Sequence, residues 1–385
     1  MAAPLEGVKV FDMTIAGVGP NASMMLGVLG ANVIKFEVPG PDVAQNPLPR
    51  QHGVSTTWMT NHFNKRDAIL DFRNPEHQAA GQALVAEADV FVNNMRPGVA
   101  DRLGFGYEAV RAKNPGIVYL YSSAWGTEGP MKELPGYDGV VMGFSGFGSV
   151  NGDEGGRPEQ MRFSGHLDHV TSSYIATAAL LGLYERRRTG QGRRIELSML
   201  GCALATQQNR IGEYFATGEP PVPLGSAAAV TAPNQAFLCQ DKEYFTVATV
   251  NDAQWTRLCA ALKRPDLLED ARFATNPDRV THRAELAEIL AAVFVTKPVR
   301  WWELQLERNN VPHGRINTWH AFINDPQARA NGQVMDLETE RWGTMYASDS
   351  PWRFSRTPVH VVSPPGPGDH TAAILKHPTF DRGSK

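Results

Sequence analysis

Strand-type and helix-type runs alternate through the first third of this chain, and that alternation constrains its fold more than any other feature. Residues 8–13 are a short apolar run of strand character, broken by Gly17, Gly19 and Pro20. Residues 21–29, rich in Ala, Met and Leu, read as a helix that Gly30 stops, and Asn32 to Glu37 reads as a second buried strand. The pattern repeats with a strand over 68–71, a helix from Pro75 to Glu87, a strand over 89–93, a helix from Tyr107 to Lys113 and a strand over 117–122. Such alternation predicts an α/β fold of nucleotide-binding type, a parallel sheet with helices on both faces. Sites in these folds lie at the carboxyl ends of the strands, here the loops 14–20, 93–97 and 122–137.

A long helix is expected over 169–188, closed by Arg186, Arg187 and Arg188, which favour a helix C-terminus, and stopped by Gly190 and Gly192. A strand follows over 194–198. Residues 215–236, rich in Gly, Pro, Ala and Thr, read as a connection. Beyond them lie a hairpin over 240–250 and helices over 252–262 and 282–294, a smaller α+β unit. The expected division is a large α/β domain of 1–210 with 330–385, a linker over 211–224 and a small domain over 225–329.

The 385 residues carry a net charge of -3, which disfavours a nucleic-acid partner. No apolar run approaches the ~18 residues that span a bilayer. The N-terminus lacks the pattern of a secretory leader. Cys202, Cys239 and Cys259 are isolated, without metal-ligand spacing, and point to reduced thiols and a cytoplasmic setting. Gly17-x-Gly19-x-x-Ala22 with Glu37 imitates a dinucleotide fingerprint. Pro20 removes an amide donor that the pyrophosphate would use, which weighs against NAD.

Blocks spread along nearly the whole chain resemble the class III CoA transferases, the CaiB/BaiF family. They include Leu-Glu-Gly-Val at 5–8, Leu-Gly-Ala-Asn-Val-Ile-Lys-Phe-Glu at 29–37, Asn-Lys-Arg at 64–66, Arg-Pro-Gly at 96–98, Arg-Leu-Gly at 102–104, Gly-Tyr-Asp at 136–138 and Arg-Thr-Gly-Gln-Gly at 188–192. Later blocks are Ala-Arg-Phe-Ala-Thr-Asn at 271–276 and Gly-Asp-His-Thr at 368–371. Their order and spacing carry the resemblance. It implies coenzyme A, bound as an acyl-CoA substrate, in place of a dinucleotide. It also implies a carboxylic acid as acceptor, and a homodimer of two interlocked ring-like subunits. A hetero-oligomer with a paralogue is the alternative assembly.

In such proteins the nucleophile is an aspartate at the start of the long helix, here Asp168. Read without the family, an Asp at that place is a helix cap; a helix terminus would also keep it ionised. The resemblance puts oxyanion donors at Gly17, Val18 and Gly19. It puts CoA contacts at Leu70 and Phe72 (adenine), Asn94, Met95, Arg96 and Arg102 (phosphates and their loop), Tyr137, and Met199 near the thiol. Lys35 is a weaker candidate, and Val38 stands where some relatives carry a basic side chain. Related racemases have His where this chain has Tyr137, so transfer is favoured over racemisation. His166 rather than His169 is expected to face the site. Trp125, Met142, Phe144 and Phe147 are candidates for an acyl pocket, and 225–232 for a mobile flap.

Overall fold

The computed structural model describes residues 2–40, 48–157, 159, 165–357 and 359–381. They form two compact units. One comprises Met1–Gly148, Gln160–Glu219 and Pro326–Lys385; the other comprises Ser149–Glu159 and Pro220–Asp325.

The first unit is built on a six-stranded parallel sheet of Lys9–Met13, Asn32–Glu37, Lys65–Ile69, Val90–Asn93, Val118–Ser123 and Arg193–Ser198. Numbered along the chain, the strands lie in the order 3-2-1-4-5-6. The order reverses between the first and fourth strands, and that switch point opens a crevice at their carboxyl ends.

Both faces of the sheet are apolar, and successive residues alternate between them. Val10, Val33, Val92 and Leu120 pack with Ala22, Leu26, Ile175 and Ala179 on one side. Phe11, Ile34, Phe91 and Tyr119 pack with Leu84, Phe105 and Phe380 on the other. On that second face the rings of Phe36, Phe11, Phe91 and Tyr119 stack in sequence across four strands, with centroids 4.2, 5.2 and 4.6 Å apart.

The helices Pro75–Glu87 and Tyr107–Lys113 fall where the sequence places them. The first is set locally by Pro75 and by the Asn74 side chain, which accepts from the Glu76 amide. The first helix, Val18–Val28, starts three residues earlier than expected and takes Pro20 into its first turn. The third strand lies at Lys65–Ile69 rather than 68–71.

The long helix runs His166–Thr189 and ends on Gly190 at φ +70°. It lies close on the sheet because a Cβ at Gly182 would come within 2.4 Å of Val118. The last residues return to this unit: the carbonyl of Phe380 accepts from Asn32 at 2.6 Å, and Gly368 N donates to Asp67.

The second unit holds a three-stranded antiparallel sheet, His313–Arg315, Tyr244–Ala248 and Asn234–Leu238, over a core that includes Phe237, Phe245, Leu258 and Phe294. The hairpin expected over 240–250 sits earlier, because its turn is at Lys242, φ +67°. The 225–232 segment is tied into this unit. Arg279 donates to Ala232 O at 2.9 Å, Asn276 to Val230 O at 2.9 Å and Arg283 to Ala229 O at 2.7 Å. The expected linker 211–224 is helical in its first half, as part of Gln208–Thr217. Among the described residues no helix is long and apolar enough to cross a membrane.

Candidate active site

At the switch point a cleft of about 870 Å³ opens, lined by 15–18 from the first loop, 94–97 from the fourth-strand loop, 121–125, 134–139, Asp168, His169 and Met199. Its two edges are joined by a reciprocal amide clamp. Asn94 Oδ1 accepts from Ile15 N at 2.8 Å, and Asn94 Nδ2 donates to Ile15 O at 2.9 Å. Next to Ile15, Ala16 takes φ +64°, a left-handed conformation costly for a residue with a Cβ.

Asp168 is the third residue of the long helix, after Gly165 at φ +82°, and it does not cap that helix. Asp138 does, from 30 residues upstream: its Oδ2 accepts from Leu167 N at 2.7 Å and from Asp168 N at 3.1 Å. The Asp168 carboxylate therefore meets the cleft with the helix amides already engaged by another anion. Burial first, and then the charge of Asp138, push its carboxyl up to about 6. The helix-end amides expected to favour an ionised Asp168 are taken by Asp138 instead.

The glycine loop stands against this carboxylate. A Cβ built on Gly17 would lie 2.6 Å from Asp168 Oδ2, so only glycine lets backbone and carboxylate approach this closely. Ser172 Oγ lies 2.6 Å from the carbonyl oxygens of both Val18 and Asp168 and ties the loop to the long helix. Val18 opens the first helix, and first-turn amides have no acceptor within their own helix.

The family model of CoA-transferase family III matches residues 5–371. The chain belongs to this family. Succinate–glutarate CoA-transferase of Agrobacterium fabrum is 32% identical over 386 residues, covering 97% of this chain and 95% of that protein. Succinyl-CoA:glutarate CoA-transferase of Homo sapiens is 32% identical over 376 residues, covering 97% and 85%. A CaiB/BaiF family protein from Brucella suis has a solved structure that superposes with a TM-score of 0.87 at 32% identity, covering 99% of this chain and 100% of that one. This family III chain is accordingly an enzyme of the CoA-transferase class, whose substrates are CoA thioesters.

Of the residues that the sequence singles out, the family III cleft brings together Asp168, Gly17, Val18, Asn94, Met95, Arg96, Tyr137 and Met199. Asn94 has both ends of its amide engaged by Ile15, which makes it a brace of the cleft. Arg96 is exposed on the rim. Four candidates lie elsewhere. Gly19 packs under the loop, where a Cβ would meet Thr14 at 2.3 Å. Leu70 and Phe72 belong to the aromatic core, with the Phe72 ring 4.7 Å from that of Phe105, because the strand before them ends earlier than expected. Arg102 is exposed at the end of the short helix Val99–Arg102, off the cleft wall.

Lys35 is fully buried and donates to Phe36 O, out of reach of any phosphate. The histidines exchange roles. His169 lines the cleft, held below the usual imidazole value by burial first, with Asp138 pulling the other way. His166 packs against the Phe147 ring, 5.6 Å away. Trp125 is a cleft wall and Met142 is core, while Phe144 and Phe147 lie outside the lining.

Residues with no sequence signal, Leu48, Thr57 and Asn61, also line the cleft; they lie between the second and third strands, Thr57 on the short helix Thr56–Thr60 and Asn61 at its end. Behind the sheet edge, Glu37, His62 and Asp67 place ligand-type atoms within 4.8 Å of one another. Burial first, and then Glu37, push the Asp67 carboxyl up to about 8.

Proposed function

We propose that this enzyme moves CoA from an acyl-CoA donor to a carboxylic acid through covalent intermediates on Asp168. The observation that carries this reading is a half-buried carboxylate facing a cleft, so close to the glycine loop that a Cβ on Gly17 would lie 2.6 Å from its Oδ2. An Asp168 oxygen attacks the thioester carbonyl, the C–S bond breaks, and CoA leaves as thiolate from a mixed anhydride. The thiolate attacks the aspartyl carbonyl, which releases the donor carboxylate and leaves aspartyl-CoA. The acceptor carboxylate attacks that thioester and expels the thiolate, which then takes the acceptor acyl group from the second anhydride and frees Asp168. No net proton or electron is exchanged, and the thioester bond energy is conserved. The first-turn amides of Val18 and its neighbours stabilise the oxyanions.

Arg96 on the rim suits a CoA phosphate. Two relatives are named for succinyl or succinate and glutarate, and we assign dicarboxylic acyl groups to this chain as well. Exposed apolar side chains on the long helix and on Gln208–Thr217, among them Leu181, Tyr184, Tyr214 and Phe215, support a second copy as partner, in the interlocked dimer expected of the family. Three free, buried cysteines support a reducing, cytoplasmic setting.

The test is intact-protein mass after mixing with succinyl-CoA and other donors, followed by peptide mapping. A hydroxylamine-sensitive acyl or CoA adduct on Asp168 is the expected result. Turnover with no adduct anywhere would sink the covalent mechanism.

The nucleophile must be ionised, and its carboxyl lies at about 6. The logarithm of kcat/KM should therefore fall by about one per pH unit below that value and level off above it; a profile flat down to pH ~4.5 would contradict the assignment. Gly17→Ala should lower kcat with little change in stability, because the added methyl displaces the Asp168 carboxylate instead of disturbing the core. Single-turnover rates compared with thermal melts separate the two effects.

One observation favours a second reading. His169 and Asp168 share the cleft, as an acid/base pair for proton exchange beside a thioester would. Exchange of the α-proton in deuterated water without a free acid acceptor would establish a racemase or isomerase. A non-catalytic subunit of a hetero-oligomer would show neither adduct nor exchange.

A further inference from the structure

We infer that Asp12, Thr14 and Lys65, none of which lines the cleft, are positioning residues that hold the glycine loop against Asp168. The inference rests on reading Asp168 as the nucleophile. Asp12 lies one residue from the end of the first strand and is fully buried, as are Thr14 and Ser23; Lys65 is 6% exposed. Asp12 Oδ1 accepts from the Thr14 amide at 3.0 Å and from the Thr14 hydroxyl at 2.5 Å. Its Oδ2 accepts from Lys65 Nζ at 3.1 Å and from the Ser23 hydroxyl. Lys65 Nζ also donates to Pro20 O at 2.6 Å.

One carboxylate thus grips the loop where it leaves the strand, through Thr14. It also grips the loop where it enters the helix, through Ser23 and, by way of Lys65, through Pro20. Thr14 in turn fills the space that Gly19 leaves by having no Cβ.

A strand end needs no such device for stability, because apolar packing would serve with less desolvation. What lies between the two grips does need it. Ala16 is held at φ +64°, and Gly17 faces the carboxylate oxygen of Asp168. A backbone in a sparsely populated conformation persists only where its surroundings over-determine it. Four hydrogen bonds to one buried carboxylate add to the Asn94 clamp on Ile15 in supplying that determination, and the reacting geometry depends on it.

Lys65 and Asp12 variants risk misfolding, so the test is made at Thr14. Thr14→Val keeps the shape and removes the hydroxyl donor; Thr14→Ser keeps the donor. Thr14→Val should lower kcat by ~10- to 100-fold and leave KM for acyl-CoA within about threefold. Thr14→Ser should stay within about threefold of wild type in both. The rate of Asp168 acylation, read by quenched mass spectrometry, should fall with kcat. Leu258→Ala, in the core of the second unit, serves as the control for destabilisation alone. It should lower Tm at least as much as Thr14→Val and leave the acylation rate unchanged.

Equal rates for Thr14→Val and Thr14→Ser, or an equal loss in Leu258→Ala, would overturn the positioning role. If wild type forms no adduct on Asp168, the nucleophile reading itself falls. If wild type forms it and Thr14→Val forms it equally fast, only the positioning role falls.

Discussion

Asp168→Asn is expected to lose CoA transfer by a factor on the order of 10⁴ or more, because the amide cannot form the anhydride on which both half-reactions depend. The same substitution should stabilise the fold. The folded-state carboxyl lies at about 6 against an ordinary 3.8, so the native state binds the Asp168 proton more tightly than the unfolded chain does. Stability contributed by that proton is present below the unfolded value and is lost as pH rises through about 6. At pH 7 the ionised side chain therefore costs on the order of 1–3 kcal/mol, which the neutral amide does not. Urea melts of both proteins at pH 7 and at pH 5 check this. The variant should be more stable at pH 7, and the gap should narrow at pH 5, where wild type is largely protonated. A variant less stable than wild type at pH 7 would mean that the carboxylate is held by favourable contacts instead.

The second large effect is on stability. Lys65→Met should cost about 3–5 kcal/mol, because it removes the ion-pair partner of the buried Asp12 carboxylate. That is a large share of the ~5–15 kcal/mol that holds a typical domain folded. Burial alone would raise the Asp12 carboxyl, but Lys65, Lys35 and the hydroxyls of Ser23 and Thr14 bring it below its ordinary value. In wild type, then, Asp12 contributes stability that is present above the unfolded value and is lost as pH falls through the depressed one. In the variant that contribution is gone and Asp12 can take up a proton. The deficit measured by denaturant titration should therefore shrink as pH falls from 7 towards 4. The double variant Asp12→Asn with Lys65→Met should recover part of the loss, since it removes both charges of the pair. A double variant as unstable as the sum of the singles would show that the two residues do not act as a pair.

Where local chemistry decides structure, the sequence was readable. Pro75 behind the Asn74 cap, and Gly190 behind three arginines, mark helix ends within a few residues, so those boundaries follow from neighbours. The third strand was misplaced because Lys65, Arg66 and Asp67 interrupt the apolar pattern by which strands are recognised. Their burial is compensated from other strands: parallel pairing sets Asp12 beside Lys35 and Lys35 beside Asp67. The shift also bears on two residues next to that strand. Leu70 and Phe72 were read as site walls beyond a strand end, and they lie in the aromatic core.

Within the cleft, the glycine loop was accessible from sequence because it sits at a strand end that the pattern marks, whereas Asp168 came only from the family resemblance, since its neighbours alone read it as a helix cap. The cap from Asp138 was not accessible, because an aspartate 30 residues away gives no sign in the chain of which helix amides it will meet.

The sequence by itself determined the alternation of strands and helices, the parallel sheet it implies, and the loops at the carboxyl ends where the cleft opens. Those follow from periodicity and from glycine and proline, which act over a few residues. Only the tertiary structure decided which charges are buried together, which carboxylate caps the long helix and which faces the substrate. It also decided how the strained turn at Ala16 is held. Those depend on strand register and on side chains far apart in the chain, where a displacement of one residue would exchange one partner for another.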